Sequence, residues 1–112
     1  MPFDAENFTT TEVELEPWRR VLLDAAQYIR EHGWCQNTVS TKDGRVCAVG
    51  AIGAAYEAAF HDKGCGIAIT AMEHLDRHLS ISGPWSIPKW NDAPGRTAED
   101  VVAAMEEAAR QP

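Results

Sequence analysis

The apolar positions Trp18, Val21, Leu22, Ala25, Tyr28 and Ile29 recur at three- and four-residue spacing, which draws one apolar face on a helix. Pro17 suits the first turn of that helix, where a backbone N–H would have no intrahelical partner anyway. Gly33 is a natural left-handed stop, and Trp34 packs the turn. Residues 34–45 are polar and β-branched around Asp43-Gly44, a strong turn signal that predicts a short hairpin or an irregular loop. A second helix is expected from about Cys47 to Phe60. Its surface is dominated by Gly50, Ala51, Gly53, Ala54, Ala55, Ala58 and Ala59. Glycine inside a helix costs about 0.5–1 kcal/mol relative to alanine, so two of them one turn apart point to close approach by another backbone. That makes this helix the expected buried centre.

His61-Asp62-Lys63-Gly64 breaks the chain, and Ile69, Met72, Leu75 and Leu79 mark a third helix from about Gly66 to Leu79. Ser80 to Arg96 reads as a loop of 17 residues with Gly83, Pro84, Pro88, Pro94 and Gly95. Loops of that length are functional or wrapped on the core, and Trp85, Ile87 and Trp90 favour wrapping. The last helix starts at Thr97, with Asp100 placed for a capping box and Glu99 for the helix dipole. Val101, Val102, Met105, Ala108 and Ala109 form its core face. The expected fold is mainly α, a compact bundle of about four helices with a short hairpin or irregular loop between the first two. Residues 1–15 read as a partly disordered arm, and 16–112 as a single helical domain.

Composition narrows the function classes. The formal charge is −7, and the ten Lys and Arg residues are scattered without a basic stripe. Phosphate attraction dominates nucleic-acid affinity, so direct DNA or RNA binding is not expected. The longest low-polarity stretch, Val46 to Tyr56, has 11 residues against the roughly 20 that span a bilayer. Asp4, Glu6, Glu12, Glu14 and Glu16 crowd the start, which does not read as a secretory signal. Cys35, Cys47 and Cys65 form no CxxC pair. Reduced thiols in a cytoplasm are the resulting expectation.

Three constellations have the residue types for chemistry. Cys47 stands where the second helix begins, after Arg45, at the kind of helix start that favours a thiolate. With His61, His74 or His78 as base and Asn91 or Asp92 to orient it, the set matches the needs of a papain-like hydrolase. Those enzymes mount their histidine on a sheet, which this chain scarcely offers, and cysteine also packs as a small buried hydrophobe. His74 and His78 share a helical face four residues apart and can present two imidazoles to a metal. Cys35, Cys47, Cys65 or Glu73 would have to complete such a site, and two ligands do not make one. Lys89, Trp90, Asn91 and Asp92 place an amine, an aromatic ring, an amide and a carboxylate in one loop. Asn91 and Asp92 can cap local backbone, Arg96 can pair with Asp92 or with the acids of the last helix, and Trp90 can anchor the loop among the small residues of the second helix. The remaining chemistry of this stretch suits a binding surface.

Several strings resemble a group of small proteins of unknown function from actinobacteria and their phages. They are Gly33-Trp34-Cys35-Gln36, Gly44-Arg45-Val46-Cys47 running into Gly50-Ala51-Ile52, and Ile87 to Val101 (IPKWNDAPGRTAEDV). The pattern from Leu22 to Gly33 fits as well, and the resemblance covers roughly residues 17–110. It carries no assigned activity; it implies an accessory factor acting on host proteins. The resulting expectation is a cytoplasmic interaction or regulatory protein, a phage or prophage accessory factor binding a host protein through Lys89, Trp90, Asn91 and Asp92. No cofactor and no metal are expected. The chain would be a monomer, or a homodimer through the small-residue face of the second helix. The alternative is a small cysteine hydrolase or transferase using Cys47.

Overall fold

Five helices follow one another in the computed structural model, which describes residues 15–112. They are α1 Pro17–His32, α2 Ala48–Phe60, α3 Gly66–Leu79, α4 Ser86–Asn91 and α5 Ala98–Ala109. The arm expected over residues 1–15 lies, save Leu15, outside the described residues. No helix among the described residues is long and apolar enough to cross a membrane.

The centre of the bundle is α1, not α2. The face of α1 built from Trp18, Val21, Leu22, Ala25, Ala26 and Ile29 is buried, and it packs against α5, α2 and α3. The small residues of α2 let α1 come close, but its outer side, at Glu57, Ala58 and Ala59, faces solvent. Gly33 ends α1 with φ 99° and ψ 164°, and its N–H donates to Ile29 O. This is an extended, glycine-type conformation rather than the expected left-handed helical one. A Cβ at this position would stand 2.7 Å from Arg45 Cγ.

The expected hairpin is reduced to isolated bridges around Val46, which pairs in parallel with Trp34 and antiparallel with Ser40. Asn37, in a left-handed conformation at φ 69°, helps the intervening chain loop out so that Trp34 and Ser40 flank Val46. The turn at Asp43-Gly44 is present, with Gly44 at φ 95° and its N–H bonded to Thr41 O.

A local cap and a clasp from α1 fix the two ends of the last helix. Thr97 and Asp100 form a reciprocal capping box at the start of α5. At its other end, Arg19 of α1 donates to Ala109 O and Gln111 O at 2.8 and 2.5 Å. The stretch expected as one long loop contains a helix, α4. Two prolines and the brevity of the element hide it from periodicity.

Candidate functional site

Asn91, the last residue of α4, is fully buried and uses its amide on three parts of the chain. Its Oδ1 accepts from Trp34 Nε1 at 2.7 Å and from Ala48 N, the first residue of α2, at 3.0 Å. Its Nδ2 donates to Cys35 O at 3.2 Å and to Asp92 Oδ1 at 2.9 Å. The same Asp92 oxygen accepts from Asn37 N at 2.9 Å. Gln36 Nε2 donates to both Asn91 O and Ala93 O. A buried side-chain amide is costly unless satisfied, and here both its atoms are. Arg96 covers the ring of Trp90 at 4.2 Å, and its Nε donates to Trp90 O. It does not bond Asp92. Trp90 is half-buried against the core.

The residues this network leaves outside form a surface. Trp85 precedes α4 with φ +65° and is 74% exposed, against the expectation that it wraps the core; Val39 is 59% exposed. The left-handed conformation costs a non-glycine residue about 1–2 kcal/mol, and residues held this way concentrate at functional positions. Trp85, Val49 and Pro88 separate two shallow cavities. One, of about 220 Å³, is completed by residues including Val39, Cys47 and Asp92. The other, of about 260 Å³, is completed by residues including Met72, Asp76 and Ile87. Each contains one carboxylate, and no lysine or arginine lines either. Lys89 is exposed on α4 and lines neither. Trp85 was missed as a site residue because apolar character reads as core. The Gly83-Pro84 pair before it was the available signal that the chain turns outward there.

The candidates for catalysis and metal binding are dispersed. Cys47 is buried and caps α2, its sulfur accepting from Gly50 N at 3.4 Å. It shares the first cavity with Asp92, but none of the histidines lines that cavity. His61 stands at the opposite end of α2, about 20 Å away at 1.5 Å per residue. Arg45 pairs with Asp43 at 3.2 Å. His78 lies 3.3 Å from Glu107. His74 is stacked flat on Trp18, with ring centroids 3.5 Å apart, and its Nδ1 lies 3.3 Å from Arg77 Nη1. The imidazole pair therefore has a guanidinium for a neighbour. Among the described residues, no three His, Cys, Asp or Glu side chains are grouped to hold a metal.

Burial, then Arg77 and Arg19, hold the His74 imidazole below its usual 6.5, against the opposing pull of Glu16 and Glu73. The folded state thus favours the neutral ring. Its stabilising contribution is complete above pH 6.5 and is lost as pH falls through the lowered folded value. His74→Phe keeps a ring on Trp18 and removes the titration. Between about pH 7 and about pH 5, thermal melts of the wild type should therefore fall more steeply than those of the variant. Parallel slopes would show that His74 does not contribute.

The model of a family of unknown function (DUF6197) matches residues 14–111 of the chain. No curated protein and no solved structure matches it.

Proposed function

We propose that this chain, which belongs to the family of unknown function DUF6197, is an interaction or regulatory protein. In this reading its docking surface is the ridge of Trp85 and the two cavities beside it. The single observation that carries the reading is Trp85, a large aromatic held outside the core in a strained backbone conformation between two apolar depressions. Tryptophan is among the residues most enriched at interface hot spots. Asp76 and Asp92, one in each cavity, suit a protein partner that presents an apolar side chain flanked by basic residues. Of the loop expected to bind, Asp92 lines this surface, while Lys89 is exposed on α4 and lines neither cavity. Trp90 and Asn91 support it from beneath, by anchoring α4 and joining it to Cys35 and Ala48. The resemblance of the Ile87–Val101 string extends the proposal to a cytoplasmic phage or prophage factor of actinobacteria that engages a host protein.

The test is affinity capture from lysate of the source cells, followed by titration of the recovered partner against wild type and Trp85→Ala. The side chain is exposed, so the variant should keep the wild-type melting curve while its Kd rises at least about tenfold. Equal affinities would remove this surface from consideration. The cysteine-enzyme alternative draws on Cys47 and Asp92 sharing one cavity, where the thiol has no histidine to serve as base.

A further inference from the structure

Cys35 and Cys47 lie 12 positions apart in sequence, and each directly follows a partner of one isolated backbone bridge. Trp34 and Val46 form a parallel bridge, closed by Val46 N to Gly33 O at 3.1 Å and Cys35 N to Val46 O at 3.0 Å. In a parallel pair, the residues that follow two bridged partners are themselves neighbours and point to the same face. Those residues are Cys35 and Cys47. The bond from Cys35 N to Val46 O leaves a single peptide link between that contact and Cys47, which brings the two residues within the reach of a disulfide, whose Cα atoms stand roughly 4.4–6.8 Å apart.

Beyond the single bridge, the Asn91 side chain takes the place of direct backbone pairing and links the two segments. The amide of Asn91 donates to Cys35 O and accepts from Ala48 N, so one planar group spans from Cys35 to the peptide unit that follows Cys47. Both cysteines also border the segment 37–39. Cys35 Sγ donates to Thr38 O at 3.5 Å, while Cys47 lines the cavity bounded by Asn37, Thr38 and Val39. Cys65, the third thiol, is exposed and stands at the start of α3, away from this pair.

We infer that Cys35 and Cys47 form a reversible dithiol–disulfide pair, with Cys47 as the sulfur that meets an oxidant through the cavity and Cys35 as the resolving sulfur. The oxidant class is a hydroperoxide. Cys47 Sγ attacks the distal peroxide oxygen, the O–O bond breaks, and the leaving alkoxide or hydroxide takes the Cys47 thiol proton and departs as an alcohol or water. Cys47 is thereby oxidised to a sulfenic acid. Cys35 Sγ then attacks Cys47 Sγ, forming the S–S bond and breaking S–O. The leaving hydroxide takes the Cys35 proton and departs as water. A small dithiol returns both thiols by exchange. Burial, and then the neighbouring Cys47, push the Cys35 thiol up, consistent with Cys35 acting second. This assignment does not depend on the docking surface.

The test treats the folded chain with hydrogen peroxide, blocks the remaining thiols and digests with trypsin. Cleavage at Arg30, Lys42, Arg45 and Lys63 places Cys35, Cys47 and Cys65 in separate peptides. The expected product is a monomer in which peptide 31–42 is linked to peptide 46–63, the link being reversed by dithiothreitol. In a Cys35→Ser variant, the sulfenic acid at Cys47 should persist and be captured by dimedone. Three outcomes overturn the inference. They are recovery of both peptides unlinked, a link that involves Cys65 alone, or a 31–42 to 46–63 link that forms only in urea. The wild-type peptide map decides the question even if the variant fails to fold.

Discussion

Asn91→Ala should be among the most destabilising single truncations in this chain, lowering unfolding free energy by about 3–5 kcal/mol. Domains of this size are stable by only about 5–15 kcal/mol, so the variant should sit near the edge of folding. The loss does not come from the side chain's modest volume. Removing the amide leaves the indole N–H of Trp34, the N–H of Ala48 and the carbonyl of Cys35 without this partner. Each orphaned buried group costs about 1–3 kcal/mol. Asn91→Asp separates acceptor from donor roles. The carboxylate can still accept from Trp34 and Ala48, but when ionised it cannot donate to Cys35 O or Asp92. Burial and the adjoining Asp92 raise the folded pKa of the new acid. Its deficit should therefore be small near pH 4 and grow as pH rises toward 7, the range over which the proton it needs is lost. Urea denaturation of both variants at the two pH values checks this. A shift below about 0.5 kcal/mol for Asn91→Ala would show that surrounding groups re-pair freely.

The second large effect contrasts two glycines of α2. Gly50→Ala should destabilise by about 2–3 kcal/mol, whereas Gly53→Ala should stabilise by about 0.5–1 kcal/mol. A Cβ at Gly50 collides with Val39 O and comes within 3.2 Å of Val39 Cγ1 and Val46 Cβ. The oxygen cannot easily retreat, because it accepts from Cys47 N at 3.0 Å. A Cβ at Gly53 meets nothing within 4 Å, so the helix gains alanine's propensity without a clash. Both changes add one methyl group to one helix, so thermal melts of the pair isolate the close approach. Two stabilised variants would show that the 37–39 segment can yield.

The same pair shows how much of this fold was legible. Two glycines one turn apart do signal an approaching backbone, and Gly50 meets one; Gly53 does not, because the approach is by a single residue. Signals confined to one helix held up well: Pro17 opening α1, the spacing of its buried face, and the Thr97–Asp100 capping box. The six residues of α4 gave no periodicity, and Pro88 inside it argued against a helix. The role of Asn91 was hidden for a different reason. Its partners Trp34, Cys35 and Ala48 stand 57, 56 and 43 positions away, and no local pattern encodes which distant groups one amide will meet. Trp85 was misread because hydrophobicity alone does not distinguish a residue that fills a core from one kept outside it.

The arrangement of α1 and α5 has a consequence for how the protein comes into being. Vectorial synthesis delivers α1 first, yet much of the surface that covers it belongs to α5, and Arg19 waits about 90 positions for the carbonyls it clasps. Until α5 is made, a growing chain therefore leaves uncovered the part of α1 that α5 shelters, even where α2 and α3 already pack on it. Helical proteins fold fastest when their contacts are local, and this one places its principal seam between its most distant helices. Nascent chains arrested before Ala98 should be chaperone clients and protease substrates, and protection should arrive abruptly once α5 clears the ribosome.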